Sequence, residues 1–289
     1  MIVYVLQGLL VLAAVMLVGA WVRKYRGAGD VAKTNPLSLA TGAVTNFFDT
    51  LGIGSFAPTT AIIKFFKLTG DENIPGTLNV GHTLPTIAQA LIFIAIVKVD
   101  VTLLVACIVA AVAGAIIGAG VVTKLPVRAI RIGMGFALLA AAGLFAARNL
   151  GLMPGGGEAL ALEGPYFIAA VALHFLFGAL MTLGIGLYAP ALISLSLLGM
   201  DPRAAFPIMM GACAFLMPAS SLRFLQAGRL SPTVALGLAL GGIPAVLVAA
   251  LIVKEMPLEA LRWLVTGVVL IAALMMLAAA ARSEPKASA

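Results

Sequence analysis

The stretch Thr45-Asn46-Phe47-Phe48-Asp49-Thr50-Leu51-Gly52-Ile53-Gly54-Ser55-Phe56-Ala57-Pro58-Thr59-Thr60 lies inside an apolar region long enough to enter a bilayer, yet its composition breaks a helix. Two glycines and a proline fall within seven residues, flanked by Asn, Asp, Ser and Thr. The pattern Leu-Gly-Ile-Gly, two residues, Ala-Pro returns 132 positions later, at Leu183-Gly184-Ile185-Gly186-Leu187-Tyr188-Ala189-Pro190. A lone break of this kind reads as a kink. Two breaks in corresponding places of two halves read as the discontinuous helices of a transport site.

The rest of the chain supports a membrane setting. Of its 289 residues, 62% are hydrophobic and 10% charged, against about 25% charged in soluble domains. Several apolar runs reach the roughly 20 residues that span hydrocarbon, and nothing shows the short alternating segments of a β-barrel. The net charge of +7 reads as basic loops on the cytoplasmic side; without a basic patch interleaved with aromatics it gives no footprint for nucleic acid. Cys107 and Cys213 stand far apart and only two histidines exist. That excludes a disulfide framework and a clustered metal site, and no cofactor motif appears.

Taken in order, residues 1–35 hold an apolar helix (2–20) followed by Trp21, Arg23, Lys24 and Arg26. Positive charge after the apolar run rather than before it marks an uncleaved anchor with its N-terminus outside. Residues 36–149 form a first repeat: the broken element 36–67, a polar turn at 70–76, then spans at 77–97, 101–122 and 129–149. Gly114, Gly118 and Gly120 are expected to permit close helix packing. A Gly/Pro-rich linker occupies 150–164. A second repeat, 165–281, gives the broken element 165–198 and spans at 204–225, 232–253 and 258–281, and 282–289 is a polar, disordered tail. Asp71 with Asp201, Gly81 with Gly211, Pro126 with Pro257 and Arg131 with Arg262 keep offsets of 130 or 131.

Charge chooses between two topologies. If each broken element is a hairpin returning to its own side, each repeat has three full crossings and the halves are inverted. The cytoplasmic side then holds 13 of the 18 basic residues. If each break crosses once, the split falls to 10 against 8. The positive-inside rule favours the hairpin, although two short crossings per break give the same sidedness. The predicted fold class is thus an all-α polytopic membrane protein: an N-terminal helix plus two inverted repeats, each with a broken re-entrant helix pair and three spans. Its expected location is the bacterial inner membrane, surrounded by lipid, with the C-terminus cytoplasmic; a homodimer is compatible with this reading.

The break itself carries the chemistry. Backbone that leaves helix geometry in hydrocarbon must be satisfied by protein or line a wet cavity. Gly52 and Gly54 let the chain turn close to a ligand, and Pro58 suits the first turn of a new half-helix. That helix then aims free N–H groups and its positive dipole end at the tip, a ready anion site. Gly184, Gly186 and Pro190 repeat the device, so two N-termini facing each other would hold one small anion. Asn46, Thr50, Ser55, Thr59 and Thr182 supply donors, with His82 and Thr83 on the following span. His82 reads equally as a hydrogen-bonded helix histidine. Asp49, an acid deep in an apolar run, is functional by default. Its candidate role is proton coupling, since an ionised carboxylate repels an anionic substrate; capping a half-helix is the alternative. Its counterpart in the second half is Met181, so the site is asymmetric. No P-loop, nucleophile elbow or carboxylate pair appears, and an enzyme is not expected. The alternatives kept open are an intramembrane enzyme using Asp49 and His82, and a transporter of a different small anion or metabolite.

At these residues the sequence resembles the sulfite exporter TauE/SafE family of anion permeases, over about residues 36–280. The resemblance rests on the duplicated Gly-x-Gly-x-x-x-Pro breaks, 52–58 and 184–190, with Pro75-Gly76-Thr77 and Gly81 after the first. The family commonly has a third glycine beside each pair, where this chain has Ser55 and Leu187. What the resemblance implies is secondary transport of sulfite, an organosulfonate or a related sulfur-containing anion across the bacterial inner membrane.

Overall fold

The computed structural model describes residues 2–26, 34–50, 54–96, 99–152, 157–184, 186–252 and 259–282. The described chain is helical: α1 (Ile2–Tyr25), α2 (Pro36–Thr50), α3 (Phe56–Phe66), a 3-10 turn (Asp71–Asn73), α4 (Ile74–Ile96), α5 (Val101–Val122), α6 (Val127–Asn149), α7 (Gly164–Met181), α8 (Tyr188–Leu197), α9 (Pro202–Ala227), α10 (Pro232–Ile252) and α11 (Glu259–Arg282). Among the described residues, α1, α5, α6, α7, α9 and α10 each contain a stretch long and apolar enough to cross a membrane. The architecture is that of an all-α, multi-pass membrane protein.

Local chemistry sets the ends. α2, α9 and α10 begin on Pro36, Pro202 and Pro232, where a missing N–H costs no hydrogen bond. Asp100 caps α5 by accepting the Leu103 N–H at 2.7 Å. The polar turn expected over 70–76 is shorter than its composition suggests. The helix is already under way at Ile74, with Pro75 in its first turn and only Asp71–Asn73 tightened to 3-10 geometry. A proline there is a starter, not a breaker.

Packing depends on glycine at particular crossings. α2 lies along α10 and α7 along α5, while α4 pairs with α9 and α6 with α11. A Cβ on Gly42 would strike the Leu238 backbone, and one on Gly241 the Leu39 carbonyl. On the other crossing, Gly178 faces the Ala111 carbonyl and Gly114 the Phe175 carbonyl, and a Cβ on Gly118 would sit 2.6 Å from the Ala179 oxygen. Gly120, expected to share this role, has open space around it. It sits two residues from Gly118, about 200° around the helix, and so faces away from α7.

Hydrogen bonds fix which helix ends are neighbours. Lys24, ending α1, donates to the Leu225 carbonyl near the end of α9. Gly76, starting α4, abuts the Arg229 carbonyl, and Thr77 accepts the Ser231 N–H at 2.8 Å just before α10. Asp71 takes both carboxyl oxygens to Lys64 at the end of α3 (2.6 and 2.7 Å) and one to Arg131 of α6 (2.7 Å). Arg131 also donates to Ala279 of α11. These contacts gather Lys24, Lys64, Arg131 and Arg229 at one end of the bundle. At the other end Asp100 bonds Leu160, Ala159 bridges Met200 after α8, and α7 begins. α2 runs beside α10 from Ser38 near Gly237 to Asn46 near Gly242. The pair α2–α3 therefore starts and ends at the basic end, and α7–α8 starts and ends at the opposite one.

The Asp71 clamp yields a pH prediction. Partial burial works to raise its carboxyl, but the hydrogen bonds and charges of Lys64 and Arg131 outweigh this and hold it below the ordinary value of 3.8. A lowered native value means stability that is fully present above the unfolded pKa and lost as pH falls through the native one. Asp71→Asn should therefore reduce stability at neutral pH by about 2 kcal/mol, the scale of a charge-assisted bond. Melting curves of variant and native protein should converge as the buffer is taken below about pH 4; a gap unchanged with pH would refute the clamp.

Candidate functional site

The first break folds back. Thr59 Oγ1 of α3 lies 3.0 Å from Thr45 Oγ1 of α2, whereas a straight helix would hold residues fourteen apart at about 21 Å. Gly54 turns the chain at φ +88° and Gly184 does so in the second break at φ +98°, a region open to glycine and strained for other residues. α3 then starts at Phe56 and α8 at Tyr188, with Pro58 and Pro190 each the third residue of its helix.

Between the two helix starts lies a small cavity of about 20 Å³. Gly54, Ser55 and Phe56 wall it from the first break, and Gly186, Leu187 and Tyr188 from the second. A Cβ on Gly186 would sit 3.9 Å from Phe56 Cβ, so the breaks nearly touch. Asp49, Thr86, Met181 and Cys213 complete the lining. Met181, the counterpart of Asp49, thus faces the same space as the acid.

Asp49 is buried at the end of α2. Its Oδ2 accepts the Gln89 amide N–H at 2.8 Å, and Ser55 turns both its backbone N–H and its hydroxyl to the same carboxyl. Gln89 Nε2 also donates to Thr50 Oγ1 at 3.1 Å, and Gln89 Oε1 accepts the Tyr188 hydroxyl at 2.6 Å. One amide of α4 therefore ties the end of α2 to the start of α8. Neither Ser55 nor Leu187, at the caps of α3 and α8, bonds the helix start through its side chain, and a helix start leaves its first N–H groups without intrahelical partners.

A second layer stands behind Phe56. The His82 ring lies 5.7 Å from that of Phe56, centroid to centroid. Asn46 gives its amide N–H to the Gly42 carbonyl (2.7 Å) and presents Oδ1 to His82 Nδ1 at 3.0 Å, so that nitrogen carries a hydrogen. His82 Nε2 is 3.0 Å from Thr59 Oγ1. The single Thr59 proton serves either His82 or Thr45 at one time. Gly242 of α10 makes room here, since a Cβ would sit 2.5 Å from Asn46 Nδ2 and 2.6 Å from Pro85 Cγ.

Of the residues expected at the site, Asp49, Gly54, Ser55 and Gly186 line the cavity, Thr50 stands outside its wall and bonds Gln89, and Asn46, Thr59 and His82 form the layer behind. Thr83 lies elsewhere, bonded to the Asn79 carbonyl (2.5 Å) and to Ser221 (3.0 Å) between α4 and α9. Thr182 bonds the Ala179 carbonyl at 2.6 Å beside Gly118. Gly184 packs on Met134 and Leu78. Gly52 lies outside the described residues. The expectation passed over Tyr188, Thr86 and Cys213. Tyr188 alone carried a signal, as the one hydroxyl within the second Gly-Pro break. Neither a family model, nor a curated protein, nor a solved structure matches the chain.

Proposed function

We propose that the protein is a secondary transporter moving a small sulfur-containing anion, such as sulfite or an organosulfonate, across the bacterial inner membrane with proton coupling. The observation that carries this reading is the cavity between the N-terminal ends of α3 and α8, with Asp49 in its wall. The first N–H groups of two half-helices, with the Thr86 hydroxyl in the same wall, supply donors for oxyanion oxygens. Asp49 must carry a proton for an anion to share this space, which links the two species.

In this reading the two halves are inverted repeats and each broken pair is re-entrant. The return of α2–α3 to the end holding Lys24, Lys64 and Arg131, and of α7–α8 to the opposite end, supports it. The positive-inside rule then puts that basic end, with the C-terminus, in the cytoplasm and the N-terminus outside. The enzyme alternative has less support. His82 spends both ring nitrogens on Asn46 and Thr59, behind Phe56, and does not share the cavity with Asp49.

Uptake into proteoliposomes tests the proposal. Sulfite, sulfate, thiosulfate and an organosulfonate are offered with and without a pH gradient. We expect saturable flux for at least one of them, enhanced by the gradient; flux indifferent to every anion in the panel would sink it.

A further inference from the structure

Gln89 occupies an unusual position: every polar atom of its amide is committed, and each commitment reports on a different break. Nε2 donates to Asp49 Oδ2 and to Thr50 Oγ1, while Oε1 accepts from Tyr188. The orientation is not arbitrary. Thr50 has already given its one proton to the Asn46 carbonyl at 2.8 Å, so its oxygen can only accept. Gln89 is fully buried.

We propose that Gln89 is a positioning residue that converts the proton state of Asp49 into the direction of the Tyr188 hydroxyl, and so into a donor offered to the cavity. With Asp49 ionised, the amide donates to the carboxylate and Tyr188 spends its O–H on Gln89 Oε1, leaving nothing for a guest. When Asp49 takes a proton from the aqueous phase on Oδ2, that O–H confronts the Gln89 N–H, donor against donor. Half a turn of the amide relieves the conflict. Oε1 then accepts from Asp49, Thr50 swings its hydroxyl to the same oxygen, and Nε2 donates to Tyr188 Oη. The Tyr188 O–H is displaced into the cavity, whose wall it already forms. One proton taken up at Asp49 thus yields one new donor about two side chains away, without backbone movement.

The surroundings leave Gln89 as the relay. Asp49 meets Gln89 from α4 and Ser55 from the break, with Tyr188 of α8 and the Cys213 thiol of α9 within electrostatic reach. α10, packed along α2, has no titratable side chain, and Lys64 of α3 is held by Asp71.

This inference deepens the transport reading but can fail separately from it. The full-length protein in lipid is followed by pH-difference infrared spectroscopy. The carboxylic C=O band of Asp49 is identified by its loss in Asp49→Asn, and the Tyr188 C–O–H modes by their loss in Tyr188→Phe. In the native protein both should change over one pH interval. In Gln89→Met and Gln89→Leu, made as a pair so that a folding defect in one leaves the other, the Asp49 band should still titrate and the Tyr188 response should be lost. A Tyr188 band that follows Asp49 in either folded variant, or that never responds in the native protein, overturns the relay. Sulfite binding across the same pH range is the second measurement. Tighter binding at low pH in the native protein and a flat profile in the Gln89 variants support the relay. If no variant binds sulfite while the two bands remain coupled through Gln89, the relay stands and the choice of anion falls.

Discussion

Asp49→Asn is expected to abolish accumulation of the anion driven by a pH gradient while leaving exchange of anion for anion intact. Asparagine has the shape of the acid. Its N–H₂, placed at the Oδ2 position that lies 2.8 Å from Gln89 Nε2, supplies the donor that the protonated acid would supply and turns the Gln89 amide in the same way, while its oxygen still accepts from Ser55. The substitution therefore mimics the proton-loaded site and preserves the anion's environment. What it removes is the ability to release the proton on the far side. If one proton moves with each anion, a gradient of about one pH unit sustains a concentration ratio of about tenfold, because each factor of ten is worth about 1.4 kcal/mol. In the variant that ratio should fall to about one, by the same relation, with exchange flux retained. Labelled sulfite in proteoliposomes measures both. Accumulation that survives the substitution would make Asp49 a cap on α3 and nothing more.

The largest effect on folding is expected from Gly114→Val. The new Cβ would strike the Phe175 carbonyl and lie 3.0 Å from the Ala179 nitrogen. Both are helix backbone, unable to swing aside as a side chain does, and α7 would have to move off α5 along their length. Overpacking of this kind costs about 1–3 kcal/mol and occasionally more; with backbone as the obstacle the upper part of that range is expected. Gly120→Val, on the same helix with nothing within 4 Å, serves as the control and should melt within a degree or two of the native protein, as surface changes do within about 0.5 kcal/mol. Thermal unfolding in detergent compares the two. Equal losses would mean that the contact between α5 and α7 does not depend on Gly114.

The contrast between those glycines shows what the sequence could and could not convey. Small residues on an apolar helix announce that some helix comes close, but the partner and the angle are set by the whole bundle. The breaks were legible because Gly and Pro act locally: positive φ at Gly54 and Gly184 and a starter proline need no knowledge of the rest of the fold. Asp49 was legible because a carboxylate in an apolar run is expensive wherever it sits. The convergence of Asp49, Gln89 and Tyr188 was not, since it joins α2, α4 and α8 across 139 positions of sequence, the span from 49 to 188. Likewise Thr83 reads as a donor on a polar helix face, and only packing decides that the face meets Ser221 of α9 instead of the cavity.

The half-helices have an electrical consequence. α3 has 11 residues and α8 has 10, each about 15–17 Å long at 1.5 Å per residue, near half of a hydrocarbon layer of about 30 Å. In the proposed transport reading, two such elements entering from opposite ends, with water reaching both tips, would leave an insulating wall only as thick as those tips. A voltage across the membrane would then drop mainly over that wall, with the cavity where the field is steepest. A bare monovalent anion crossing it would exchange about 2.3 kcal/mol with each 100 mV of potential, whereas the same anion paired with one proton on Asp49 would cross as a neutral pair and leave the membrane voltage untouched.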